Sequence, residues 1–275
     1  MTLESPVIQT LPDDGHDVYY FDDTVPENLA QPMGLVNPKN PLAGLEHIDV
    51  LDRDVVILSQ TTTPKIFTWE ETRDVVERMD LSKFTRLPHD LRNYLRWKYF
   101  TDKEYSRIDE KTGERISGIL IYILRVRLEG RWGFQFPVYP TNEGRSLFEN
   151  VASDACILAN DFPYALDPKI VHVVVWLRTP ISTEPLEYVP DVVTYDIPTT
   201  RLTEKSQKLI ERFVNVNFVE GLDLTPDRVT WFKNWTGLQS IPALEHFHVM
   251  IYDPPLEQLK ELYSTGGKQI DIYNL

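Results

Sequence analysis

With 275 residues, 42% of them hydrophobic, the chain is long enough to bury a sizeable core. Its formal net charge of −14 speaks against a nucleic-acid polymer or an anionic membrane surface as partner, because both reward clusters of Lys and Arg. The single cysteine, Cys156, excludes an internal disulfide framework, no apolar run approaches the roughly 20 residues of a membrane span, and the first residues lack a basic-then-apolar leader pattern, so a cytoplasmic location is expected.

Residues 1–66 hold eleven acidic and three basic residues and seven prolines, which reads as an acidic tail or wrapping segment. Its aromatic clump Tyr19-Tyr20-Phe21 reads as part of a loose extended chain or as a docking point on the body, and the run Val55–Leu58 reads as a strand or as the tail's last anchor. The folded domain is expected over 67–275. Thr68 with Glu71 makes a capping box, and Trp69, Val76 and Met79 share one helical face, which predicts a helix over 69–79. Pro88 opens a second helix with a wide apolar and aromatic side. The β-branched run Gly118–Leu128 and the segment Phe134–Tyr139 predict a hairpin. A second strand pair is expected at 156–160 and 170–177, joined by a turn-rich link. A helix over 203–219, strands near 228–233 and 246–252 and a helix over 255–263 follow.

These elements make an α+β fold: a central antiparallel sheet with helices largely on one face. Three of its segments place polar groups on or beside apolar strands: 160–178, 231–235 and 245–252. Residues two apart in a strand face the same way, so His246 and His248 share one surface. Buried His, Asn and Lys side chains need partners and therefore cluster. The candidate catalytic set is His248 as nucleophile or general base, with His246 and His172 orienting it or binding an oxyanion. Candidate binding residues are Asn160, Asp161, Tyr164, Arg178, Lys233, Asn234 and Trp235, with Lys233 and Asn234 placed to contact anionic oxygens. A His-x-His strand is compatible with a metal, but the spacing is unspecific, and neither metal nor cofactor is assigned. Cys156, in an apolar strand, is expected to be inert.

The early Phe67-Thr-Trp69, Phe84-x-Arg86-x-Pro88, Ile121-Tyr122-Ile123-Leu124, Asn160-Asp161-Phe162-Pro163-Tyr164, His172-Val-Val-Val-Trp176, Trp231-Phe-Lys-Asn234 and His246-Phe-His248-Val249 together resemble the fungal N-acetylglucosamine-induced protein family. The resemblance covers roughly 67–252. It implies a soluble fungal protein whose relatives respond to amino-sugar signalling or lie in specialised-metabolite gene clusters, and it supplies no reaction. More distantly, GLQSIPALEHFHVMIY looks like the motif of the histidine-triad nucleotide hydrolases and transferases, with His246 and His248 as the first and middle histidines and Met250 in the third position. That likeness implies an enzyme acting on a phosphorylated or nucleotide-linked sugar, bound as a small anionic ligand. Two alternatives stand beside it: a non-catalytic metabolite-binding or regulatory protein, and an accessory enzyme of specialised metabolism.

Overall fold

A computed structural model describes residue 42 and residues 45–59, 65–129, 144–186, 200–239 and 241–274. The chain divides into two compact units. The first draws on residues up to Ile66, Phe84–Gly133 and Asp161–Ala165; the second draws on Phe67–Lys83, Phe134–Asn160 and Leu166–Leu275.

The first unit is helical. Helix α1 (Asp52–Leu58) contributes Leu58, which joins Leu45 in an apolar cluster with Leu91 and Leu95 of α3 (Pro88–Tyr105). The run Val55–Leu58 is therefore the end of a helix, not a strand. Pro88 sits at the start of α3, where its missing N–H costs no helical bond. A short hairpin pairs β1 (Arg107–Ile108) with β2 (Arg115–Ile116). The strand expected from Gly118 is instead α4 (Gly118–Tyr122), continued by a π-helical turn over Ile123–Arg127. The reason is tertiary. A Cβ on Gly118 would lie 2.4 Å from the Asp102 carbonyl oxygen, so the glycine lets this segment press onto the α3 backbone. There Asp102 Oδ1 accepts the Gly118 N–H at 2.8 Å and caps the new helix. Packing of this kind overrides β-propensity, and a short apolar run looks alike in both states. The proposed partner strand, Phe134–Tyr139, lies outside the described residues, as does Tyr19–Phe21.

The second unit is a four-stranded antiparallel sheet in the order β3-β4-β8-β7, formed by Ala155–Ala159, Ile170–Leu177, Glu245–Tyr252 and Val229–Phe232. Its first helix, α2 (Trp69–Glu77), carries the complete Thr68–Glu71 capping box, and the Trp69 indole N–H donates to the Asp227 carbonyl. Met79 lies beyond the helix end with φ 55, exposed, and is not part of the buried face. A small helical turn, α5 (Val151–Asp154), leads into β3. A two-stranded pair, β5 (Thr183–Pro185) and β6 (Thr200–Leu202), precedes α6 (Glu204–Val214), which runs on into a π turn over Asn215–Val219. The last helix is α7 (Leu256–Thr265).

Strand alternation sorts the sheet into two faces. Val173, Val175, Phe247, Val249 and Ile251 belong to one core with Leu209, Ile210 and Phe213 of α6 and Leu259 and Leu262 of α7. The opposite parity carries His172, Val174 and Trp176 on β4 and His246, His248 and Met250 on β8, all buried. Central strands covered on both faces read as continuous apolar runs, which accounts for IVHVVVWL. The architecture is mixed α and β with antiparallel sheets. No described helix is long and apolar enough to cross a membrane.

Candidate functional site

Register decides which polar groups meet on the second face. Met250 lies opposite His172, His248 opposite Val174, and His246 opposite Trp176. His172 and His248 are therefore diagonal neighbours, and their rings touch: His172 Nε2 is 3.0 Å from His248 Nδ1. On the outer side of β4, the Asn160 backbone N–H donates to the His172 carbonyl, which extends the ladder by one residue and brings the Asn160 amide nitrogen within 3.2 Å of both ring nitrogens of His172. On the far side of β8, Phe232 pairs with His248, and Asn234, two residues on, keeps the same parity. The Asn234 amide nitrogen is 3.3 Å from His248 Nε2. A chain of four polar side chains, Asn160, His172, His248 and Asn234, thus crosses the sheet.

Aromatic rings pack around this chain. Phe232 stacks on His248 with centroids 4.9 Å apart and planes inclined by 17°, and Trp176 lies 4.8 Å from His246. One group in the set is incompletely bonded: Asn234 Oδ1 is buried and has no hydrogen-bond partner. Such an orphan costs on the order of 1–3 kcal/mol. The Asn234 backbone is held by its carbonyl, which accepts from Gln239 Nε2 at 3.1 Å.

His246 is placed differently. Its Nδ1 is 2.8 Å from the Leu244 carbonyl oxygen, which can only accept, so the proton resides on Nδ1 and the lone pair on Nε2. Burial pushes its pKa down to about 4, reinforced by the Lys233 cation and opposed by the bond to Leu244. His246 is therefore a neutral imidazole at pH 7, with its lone pair on Nε2. Lys233, in turn, is 3.3 Å from Glu245 Oε2, an ion pair between a side chain only 11% exposed and one 31% exposed.

The other sequence-derived candidates have separate surroundings. Asp161 belongs to the first unit and forms an ion pair with Arg127 at 2.7 Å. Tyr164, in the same unit, stacks on Phe84 with centroids 4.9 Å apart and lies near the Arg86 guanidinium. Arg178 donates its backbone N–H to Asp154 and its guanidinium to the Ser153 carbonyl. Trp235 is buried, and its carbonyl accepts from Leu238. Phe232, Trp176, Gln239 and the Leu244 carbonyl stand outside the candidate set read from the sequence. Phe232 carries a signal there, since it is two residues before Asn234 in a strand. Among the described residues, no group of three or more His, Cys, Asp or Glu side chains is arranged to hold a metal ion.

Residues 68–252, more than half of the chain, match the profile of a family described as proteins of unknown function (DUF3605). The chain belongs to this family. The match ends at Tyr252, the last residue of the histidine-bearing strand, so it takes in the whole polar chain. The chain is similar to N-acetylglucosamine-induced protein 1 of Candida albicans, 24% identical over 220 residues that cover 74% of this chain and 75% of the relative. It is also similar to an uncharacterised protein of Saccharomyces cerevisiae, 23% identical over 72% of this chain and 82% of the relative. Of the solved structures, the crystal structure of HTC1 shares the fold at a TM-score of 0.53 and 19% identity, covering 74% of this chain and all of the other.

Proposed function

We propose that the histidine face of the sheet is the site of a small-molecule enzyme of histidine-triad character acting on a phosphorylated or nucleotide-linked sugar. The observation that carries the reading is the His246–Leu244 bond: it pins the imidazole as the tautomer with a free lone pair on Nε2, and burial keeps that ring neutral at pH 7. Those are the properties of an imidazole nucleophile toward phosphorus. The nucleophile is accordingly His246 in place of His248, whose two ring nitrogens already face His172 and Asn234. In the first step Nε2 attacks phosphorus, and the bond to the leaving-group oxygen breaks with its electron pair. In the second, water attacks the phosphorus, the P–N bond breaks and its electrons return to Nε2. The water leaves its oxygen on phosphorus and a proton on the departed oxygen. Lys233, beside His246, supplies positive charge for the phosphoryl oxygens. The name of the Candida relative supports the amino-sugar class. A cytoplasmic setting belongs to the same proposal and rests on the lone, buried Cys156.

The test is thermal denaturation of the wild type and His246→Gln with inorganic phosphate, N-acetylglucosamine 6-phosphate and UDP-N-acetylglucosamine, followed by ³¹P NMR of the same mixtures. Expected are stabilisation of the wild type by a phosphorylated sugar and slow release of phosphate or nucleotide that His246→Gln abolishes. The absence of any shift with all three ligands would overturn the proposal. A second reading, a metabolite-binding protein without catalysis, is favoured by Met250, a fully buried thioether in the third position of the alternation. Stabilisation without turnover would select it.

A further inference from the structure

Two stretches that stand out in the sequence, Phe84–Pro88 and Asp161–Tyr164, take no part in the reaction proposed above. The first unit brings them together. Arg86 Nε donates to the Phe162 carbonyl at 3.1 Å, and the guanidinium carbon lies 4.2 Å from the centre of the Tyr94 ring and 5.3 Å from that of Tyr164. Arg127 Nη2 donates to Asp161 Oδ1 at 2.7 Å, with only 9% of its side chain exposed. Two guanidiniums are thus tied to consecutive residues, one to a backbone carbonyl and one to a carboxylate.

Most of their donors are uncommitted. A guanidinium carries its N–H groups in a planar fork and accepts nothing. Arg86 commits Nε and Arg127 commits Nη2; among the described residues, neither has a further hydrogen bond or ion pair. Both Nη groups of Arg86 and the Nε and Nη1 of Arg127 remain. Stacking on Tyr94 fixes the plane of the Arg86 fork, so the entropy of presenting it to a ligand has already been lost. Burying Arg127 behind a carboxylate that it meets through one nitrogen leaves its desolvation incompletely offset. Charge points the same way. Asp54, buried on α1, lies within the fields of Arg86 and Lys98, but its ion pair is with Arg53, at 3.6 Å. With Arg127 and Asp161, these groups set four cations against two carboxylates in a chain whose net charge is −14.

We propose that Arg86 and Arg127 form an oxyanion-binding site in the first unit, suited to a phosphoryl group. Its terminal oxygens accept from the Arg86 Nη nitrogens and from the uncommitted nitrogens of Arg127. Tyr94 and the Phe162 carbonyl hold the first fork, and Asp161 holds the second. A phosphoryl group suits two forks better than a carboxylate does, because it brings a third terminal oxygen. The site uses no residue of the histidine face and does not rest on the enzyme reading.

The test is a titration of the full chain with inorganic phosphate, followed by ¹⁵N NMR of the arginine Nε–H signals, with acetate as the comparison anion. Expected are saturable shifts of both the Arg86 and the Arg127 signals, with a Kd of about 1 mM or tighter, and weaker binding of acetate. Arg86→Lys keeps the charge but loses the fork, and should weaken phosphate binding, read at Arg127, by about tenfold or more. His246→Gln should leave both shifts and their affinity unchanged. Arginine signals that stay still in phosphate would overturn the proposal, as would an Arg86→Lys chain that binds as tightly as the wild type. Equal affinity for acetate would overturn the phosphoryl assignment. If Arg86→Lys fails to fold, the wild-type shifts still decide, because arginines that only fasten the 161–165 segment would not respond to phosphate. Shifts at both arginines in a chain that turns over no phosphorylated sugar would sink the enzyme reading and leave this site standing.

Discussion

His246 makes the stability of the protein depend on pH, and the sign follows from its burial. In the unfolded chain the ring takes up a proton near pH 6.5; in the fold, burial holds the pKa at about 4. Between those values the unfolded state binds a proton that the native state refuses, so this contribution is complete above about pH 6.5 and is lost as the pH falls toward 4. By urea denaturation at pH 7 and pH 4.5, the wild type should lose about 2 kcal/mol more than His246→Gln, on the basis of about 1.4 kcal/mol per pKa unit. An equal loss in the two proteins would mean that the ring is solvated in the fold. At this scale, sequence alternation was enough to put His246 and His248 on one face. Which His172 neighbour would meet them was not legible, because the diagonal from His172 to His248 exists only once β4 and β8 take the register that pairs Met250 with His172. The roles of the two histidines were equally hidden, since a contact to the Leu244 carbonyl leaves no mark on residue type.

Asp154 shows how one side chain can hold an element boundary together. Its carboxylate, almost wholly buried, accepts the backbone N–H groups of Phe148, Arg178 and Thr179, at 3.2, 3.1 and 2.7 Å. The first of these holds a residue in the left-handed region: Phe148 has φ 60, and its fully buried ring stacks 4.3 Å from that of Phe213. Asp154→Ala would orphan the Phe148 and Thr179 donors, while the Arg178 N–H keeps the Asp154 carbonyl, and would release that conformation; it should cost about 2–3 kcal/mol or more in chemical denaturation. A loss below 1 kcal/mol would mean that water replaces the carboxylate. Gly118 governs another boundary. Gly118→Ala forces a Cβ against the α3 backbone at Asp102 and should lower stability by about 1–3 kcal/mol, as overpacking does; an unchanged melting temperature would show that α4 shifts freely. The helix that contains Gly118 was read from sequence as a strand, whereas α2 and α3 were read as helices. The difference lies in the kind of signal. A capping box or a Pro at the first turn is local chemistry that acts wherever it occurs, while GILIYILRVRL is apolar nearly throughout and takes its conformation from the surface it packs against.

For the molecule as a whole, the consequential boundary is where the folded first unit begins. The acidic, proline-rich composition of residues 1–66 suggested a tail up to Ile66, yet Leu45 and Leu58 are among the most buried side chains in the structure and share a cluster with Leu91 and Leu95 of α3. Composition averages over a window and so does not mark two single leucines within an acidic, proline-rich stretch. Truncating a buried leucine to alanine typically costs roughly 2–5 kcal/mol. Deleting residues 45–66 removes both leucines and uncovers the side of α3 on which they lie. A chain that begins at Phe67 should therefore unfold at a lower temperature than one that begins at Leu45, by about 10 °C or more at roughly 2–4 °C per kcal/mol for a protein of this size. Circular dichroism melts of the two chains test this directly, because their difference isolates residues 45–66 from everything before them. Coincident melting curves would show that α1 rests on α3 without stabilising it. A large separation would instead make α1 an integral part of the first unit, even though it lies outside the 68–252 segment by which the family is recognised.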